Sequence, residues 1–161
     1  MTQPTSQTDT TDRELRISRL IEGPRDLVFS AFTDPENIGR WWGPDGFTTT
    51  TRSFEFRLGG EWDYVMHGPD GTDYPNWVRF DSIEAPARIE YLHGESADDP
   101  APFHAVVTFQ EQDGGTLVTL CNIFATREQR ELVEREFHAV EGGQQTLGRL
   151  AAYVATLRDQ Q

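Results

Sequence analysis

The amino-acid sequence predicts an α+β domain in which a curved antiparallel sheet wraps around a long C-terminal helix. Three observations carry this expectation. Between Phe47 and Phe124, apolar residues fall at alternate positions in six segments divided by turn signals, as strands with one wet face require. After Phe124 the apolar spacing changes to three and four, the period of a helix. With 161 residues, 36% of them hydrophobic, the chain suits one core and is too apolar for disorder.

Taken in order, residues 1–13 are rich in Thr, Ser and Gln, lack periodicity and read as a flexible N-terminal tail ahead of a single domain over 14–161. Leu15-Arg16-Ile17-Ser18-Arg19-Leu20-Ile21 alternates apolar with polar residues as a half-buried strand should. Gly23-Pro24 then opens a short helix with Leu27, Val28, Ala31 and Phe32 on one stripe. Asp34-Pro35 closes it and caps a second helix, in which Ile38, Trp41 and Trp42 share a face before Gly43-Pro44. In the six strands, alternation turns Phe54 and Phe56, Trp62, Tyr64 and Met66, and Val78 and Phe80 inward. Ile89, Tyr91 and His93 follow, then Phe103, Ala105, Val107 and Phe109, and Val118, Leu120, Asn122 and Phe124. Glu61, Asp63, Arg79 and Glu90 fall on the other face. Thr126 and Gln129 form a capping box for a helix with Leu132, Val133, Phe137 and Val140 along it. Beyond Gly142-Gly143 the final helix, about Glu141 to Arg158, carries Leu147, Leu150, Ala151, Val154 and Leu157 as a wide apolar face directed at the sheet.

Charge removes several functions. The chain has 14 basic and 27 acidic residues, a net charge of -13, and its acids are dispersed, so nucleic acid is not an expected partner. Every basic residue is arginine, which eliminates lysine Schiff bases and phosphate-loop lysines. No apolar run is long enough to span a bilayer and no export signal precedes Leu15, so the expected compartment is the cytoplasm, with no membrane partner. Cys121 is alone and cannot form an internal disulfide.

Gly23-Pro24-Arg25-Asp26-Leu27-Val28-Phe29-Ser30-Ala31-Phe32-Thr33-Asp34-Pro35, Arg40-Trp41-Trp42-Gly43-Pro44, Leu58-Gly59-Gly60, Met66-His67-Gly68-Pro69-Asp70-Gly71 and Gly115-Thr116 follow one another at characteristic spacings. In these motifs residues 14–158 resemble the bacterial branch related to the C-terminal domain of the activator of the heat-shock-protein ATPase, within the SRPBCC (START-like) superfamily. The resemblance implies a helix-grip fold with a cavity between sheet and C-terminal helix that takes lipids, polyketides and other apolar molecules. It implies no fixed catalytic constellation.

A curved sheet gripping one helix encloses more volume than the helix fills, and such pockets are mostly apolar with a few placed polar groups. The residues expected to line it are Trp41, Trp62, Tyr64, Met66, Phe80, Tyr91, His93, Phe103, Ala105 and Asn122, with Leu147, Leu150 and Val154 from the helix. Tyr64, Tyr91, His93 and Asn122 are its polar groups. His93 reads as a ligand-contacting or acid–base imidazole, or more simply as a core histidine bonded to Tyr or Asn. One tryptophan of Trp41-Trp42 belongs to the core and the other to the cavity entrance. His67, His93, His104 and His138 do not converge, so no metal and no cofactor is expected. Cys121 falls on the outer face without the neighbours a thiolate needs. Trp77 is expected to be exposed beside Arg79 as a contact surface compatible with a homodimer. The function expected is binding of a small apolar or aromatic molecule. The alternatives are an enzyme of the cyclase, dehydratase or hydrolase kind in the same cavity, and a co-chaperone-like protein acting through its surface.

Overall fold

The computed structural model describes residues 10–160. Its elements run β1 (Glu14–Ile21), α1 (Arg25–Ser30), α2 (Pro35–Ile38), β2 (Thr48–Phe54), β3 (Glu61–His67), β4 (Asp73–Glu84), β5 (Arg88–Gly94), β6 (Phe103–Gln112), β7 (Gly115–Ile123), α3 (Arg127–Phe137) and α4 (Ala139–Asp159). All seven strands form one antiparallel sheet in the order β1-β7-β6-β5-β4-β3-β2. The six expected central strands are present, and β1 returns to pair with β7 along its whole length. Register shifts at Thr51/Ser53 in β2 and at Phe80/Ser82 in β4 add local bends, as bulges do, and curve the sheet.

Local chemistry explains most element ends. Asp34 caps α2, its carboxylate accepting from the Glu36 N–H at 2.8 Å, with Pro35 in the first helical position. The β6–β7 hairpin turns on Asp113 and Gly114, both at positive φ, the two-residue Asp-Gly turn that suits the strand twist. Thr126 Oγ1 accepts from the Gln129 N–H at 3.0 Å while Gln129 Oε1 accepts from the Ala125 N–H at 3.2 Å.

The concave face holds the core. Val28, Phe32, Ile38 and Trp41 from α1, α2 and the turn after it pack with Trp62, Tyr64, Val78, Phe80, Ile89, Ala105, Val107, Phe109 and Val118 from the sheet. Leu147, Leu150 and Val154 of α4 are at most 1% exposed in the same cluster, as their spacing predicts. Edge-to-face contacts link Phe29 and Phe32 to Phe109 at 5.0 and 5.1 Å, and Trp41 to Phe32 at 4.8 Å.

Four expectations change. Residues 1–9 of the expected tail lie outside the described residues, but Thr11–Arg13 forms a short 3-10 helix, and the Arg13 guanidinium donates to the Phe124 carbonyl. The break before α4 falls at His138, in the left-handed conformation (φ 51°, ψ 47°), so Gly142-Gly143 lies inside the helix rather than ahead of it. The reason is packing: a Cβ on Gly143 would stand 2.2 Å from Ile17 Cδ1, and glycine lets α4 approach β1. Trp77 does lie on the face opposite the core, yet it is only 8% exposed. It sits opposite Gly94, its indole donates to Glu61 Oε1 at 2.7 Å, and the loop bearing Asp99 closes over Gly94. The described part of the α3 stripe is weakly buried: Leu132 is 46% exposed and no described side chain of α3 is fully buried, while the Phe137 side chain lies outside the described residues. With charged residues at most positions, α3 rests at the rim against the 3-10 turn and the start of α4.

Candidate functional site

A cleft of about 200 Å³ opens between the concave sheet, the Trp42-Gly43-Pro44 turn and the first turns of α4. Its sheet side is formed by Tyr64 and Met66 of β3, Asn76 of β4, Tyr91 and His93 of β5, Phe103 of β6 and Asn122 of β7; Ala139, Gly143 and Thr146 close it from the helix. Hollows of about 420 Å³ near Gly23 and Arg158 and about 440 Å³ near Arg19 and Glu141 are larger but are lined by charged side chains. The aromatic walls and buried polar groups lie in the smaller cleft, which is the better candidate.

Of the residues the sequence pointed to, Tyr64, Met66, Tyr91, His93, Phe103 and Asn122 come together here. Trp41, Trp62, Phe80, Ala105, Leu147, Leu150 and Val154 are packed in the core behind it. Trp41, 1% exposed, spends its indole N–H on the Ala31 carbonyl at 3.1 Å, whereas Trp42 walls the cleft. Trp62 stacks on Tyr64 at 3.8 Å and donates to Thr51 Oγ1 at 3.0 Å, so it supports the Tyr64 ring from behind. Phe80, Trp62, Tyr91 and Trp42 surround a closed apolar void of only about 10 Å³, too small for any ligand. Asn76 was missed, and of the Trp41-Trp42 pair the sequence left open which one walls the cleft. Asn76 shares the face of Val78 and Phe80, so the β4 alternation carried two residues further back finds it. No period places Trp42, because α2 ends at Ile38.

The polar groups form one chain. The Trp42 indole donates to the Tyr64 hydroxyl at 3.1 Å, and the Tyr64 hydroxyl lies 3.3 Å from His93 Nε2. His93 Nε2 is 2.8 Å from Asn76 Oδ1, and Asn76 Nδ2 donates to the Tyr74 carbonyl at 3.0 Å. The last bond fixes the amide orientation, so Asn76 presents an oxygen and His93 must carry its proton on Nε2. Burial presses the His93 pKa down to about 4, partly opposed by the Asp99 carboxylate. Burial also raises the Tyr64 and Tyr91 phenols, the nearby Tyr91 adding to the effect at Tyr64 and the Trp42 bond opposing it. At neutral pH the cleft therefore holds a neutral imidazole and two protonated phenols, and none of its lining residues is charged. Such a site can enclose and orient an apolar molecule; it holds no ionised acid–base pair.

The other candidates lie apart. His67 bridges Thr50 Oγ1 and Asp73 Oδ1 at 2.8 and 2.7 Å on the exposed side, His104 is exposed, and His138 joins α3 to α4. Among the described residues no three His, Cys, Asp or Glu side chains gather as metal ligands would. Cys121, on the convex face beside Glu14 and Arg16, has its thiol pKa raised, first by burial and then by Glu14.

A curved seven-stranded sheet closed by a long C-terminal helix, with an aromatic cleft between them, defines a helix-grip protein of the SRPBCC class, a fold typically used for ligand binding. The chain belongs to the family described as Activator of Hsp90 ATPase homolog 1-like protein, whose profile matches residues 22–155. Solved structures agree. A crystal structure from Nitrosomonas europaea is 26% identical with a TM-score of 0.82, covering 92% of this chain and 98% of that one. A solution structure from Arthrobacter aurescens is 28% identical with a TM-score of 0.82, covering 93% and 90%. A crystal structure from Mycobacterium smegmatis is 26% identical with a TM-score of 0.82, covering 94% and 96%. No curated protein matches the sequence. Among the described residues no helix is long and apolar enough to cross a membrane.

Proposed function

We propose that this protein binds a small apolar or aromatic molecule in the cleft between the sheet and the start of α4, and that it does so in the cytoplasm. The observation that carries the reading is the lining: aromatic rings and amides, with no charged side chain. Its volume of about 200 Å³ suits a ligand of one or two rings, since an apolar cavity of about 150 Å³ already accepts benzene.

An anilinonaphthalene dye tests this directly: it is expected to bind the native protein and to be displaced by small aromatic compounds. Asn122 lines the cleft and is half-buried, so Asn122→Trp drives an indole into the cleft itself, whereas Ala105 lies in the core behind it. Overpacking of this kind costs about 1–3 kcal/mol of stability. The variant is expected to remain folded by circular dichroism and to lose dye binding. A folded variant that binds the dye as the parent does removes the cleft as the binding site.

A further inference from the structure

Met66 apart, the motif Met66-His67-Gly68-Pro69-Asp70-Gly71 does not line the cleft. It makes the tight turn from β3 to β4. The Gly68 N–H donates to the Thr72 carbonyl at 2.8 Å, the Gly71 N–H to the Gly68 carbonyl at 3.0 Å, and the Asp70 carboxylate accepts from the Thr72 N–H at 3.0 Å. Gly71 supplies the positive φ of 90° that the turn requires. The turn sets His67 directly opposite Asp73 in the ladder. Successive side chains of a strand point to opposite faces, so with Tyr64 and Met66 on the concave side His67 and Asp73 stand on the convex one. Thr50 of the edge strand β2, opposite Val65, joins them there.

The three side chains are bonded in series. Asp73 Oδ1 lies 2.7 Å from His67 Nδ1, and His67 Nε2 lies 2.8 Å from Thr50 Oγ1. A carboxylate can only accept, so the proton of the neutral imidazole sits on Nδ1, and Nε2 accepts from the threonine hydroxyl. This is the tautomer and the order of bonds by which a carboxylate and an imidazole activate a hydroxyl as a nucleophile. Among the described residues His67 is the only ion-pair partner of Asp73, so no arginine competes for the carboxylate. Thr50 is β-branched and has few rotamers, and all three residues belong to paired strands, which preorganises the series.

Acyl transfer also needs a donor for the oxyanion. Along an antiparallel strand, successive residues turn their N–H groups alternately toward the neighbour and away from it. One of Thr50 and Thr51 therefore directs its N–H away from β3, and β2 is the edge, so no further strand takes it. Solvent reaches the series: Thr50 is exposed, and the His67 and Asp73 side chains are 37% and 65% exposed. A site so open selects its substrate by the reactivity of the acyl donor rather than by shape.

We propose that Thr50, His67 and Asp73 form an acyl-transfer site on the convex face, separate from the cleft, that cleaves small activated carboxylic esters such as aryl acetates. The Thr50 oxygen bonds to the acyl carbon while its proton passes to His67 Nε2. The bond from acyl carbon to aryl oxygen then breaks, and that oxygen takes the proton from His67. Water, giving a proton to His67, attacks the acyl-threonine, and the threonine oxygen leaves and recovers its proton. Ester and water become carboxylic acid and phenol, with no other reagent. Asp73 orients the imidazole and stabilises its charged form in both halves.

Para-nitrophenyl acetate supplied to the full chain at neutral pH tests this, with nitrophenol release followed by absorbance and the acid-quenched protein by peptide mass mapping. Turnover is expected, with acetyl on Thr50. His67→Gln is expected to lower the rate about a hundredfold and Asp73→Asn at least about tenfold. Thr50→Val keeps the shape and is expected to abolish acetylation at that position, while Thr50→Ser restores it. His104→Gln removes an exposed imidazole outside the series and is expected to leave the rate unchanged, which separates the site from hydrolysis by any surface histidine. All of these positions are exposed or half-exposed, where substitutions disturb folding little, and circular dichroism checks each variant. The site is overturned if the parent is no faster than His67→Gln, if Thr50→Val keeps the parent's rate, or if His104→Gln loses as much as His67→Gln.

Discussion

His93 sits where the β5 alternation of Ile89, Tyr91 and His93 puts it, yet alternation could not say what an imidazole does on an apolar face. The structure supplies the partners: Asn76 accepts its Nε2 proton at 2.8 Å, and Tyr64 stands 3.3 Å away. Burial holds the folded pKa near 4, against 6.5 in the unfolded chain. Between those values the unfolded state binds the more protons, so stability rises with pH. The contribution is fully present above about pH 6.5 and is lost as the solution is acidified through pH 4, up to about 3 kcal/mol at 1.36 kcal/mol per unit. His93→Gln is expected to flatten the stability curve over that window in urea melts. In NMR titrations the His93 ring is expected to stay neutral, with its proton on Nε2, until about pH 4. A midpoint near 6.5 contradicts the buried network. The tryptophan pair shows the same limit of sequence reading at this scale: composition could place one indole inside and one at the entrance, but only the turn after α2 decides that Trp41 is core and Trp42 is wall.

At the scale of elements, strands were legible because their period is two and each has a wet face. The six central segments, the Asp113-Gly114 hairpin and the Asp34 and Thr126 caps all follow from local chemistry. The start of α4 was not legible, because two adjacent glycines read as a stop unless a neighbouring strand is known to demand them. The two glycines differ in what they meet. A Cβ at Gly142 would lie 3.8 Å from Pro44 Cβ, an ordinary contact, while one at Gly143 would lie 2.2 Å from Ile17 Cδ1. Replacing glycine by alanine inside a helix gains about 1 kcal/mol when nothing obstructs it. Gly142→Ala is therefore expected to raise unfolding free energy by about 0.5–1 kcal/mol in urea melts. Gly143→Ala gains less or loses stability, because Ile17, half-buried against the core, must move first. Equal gains from both substitutions would show that α4 is not seated on β1 as described.

For the whole molecule, the motif order already implied a helix-grip fold, and the sheet order, the long final helix and the family match agree with it. The extent of the cleft was less legible, because seven of the thirteen expected lining residues fill the core behind it. The inward face of a strand does not reveal which of its residues another element covers. Trp41, Phe32 and Phe80 pack the end near α1 and α2, leaving open only the end beneath Thr146 and Gly143. Electrostatics at this scale yields a further prediction. The ion pairs are surface pairs such as Arg52–Asp63 at 2.8 Å and Arg79–Asp81 at 2.8 Å, with both partners substantially exposed. Pairs of this kind contribute between nothing and about 1 kcal/mol, and salt screens them. The net charge of -13 acts in the opposite sense, since the folded chain confines like charges that the unfolded chain separates. At about 0.01 M salt the screening length is about 30 Å, longer than most distances within the domain, and at about 0.15 M it is about 8 Å. Self-repulsion extends over the whole molecule and is screened first, whereas close pairs lose less over the same interval. The melting temperature is therefore expected to rise as sodium chloride increases from about 0.01 to 0.15 M. Differential scanning calorimetry at neutral pH checks it, and a fall in melting temperature over that range would mean that the arginine pairs outweigh the repulsion among unpaired carboxylates.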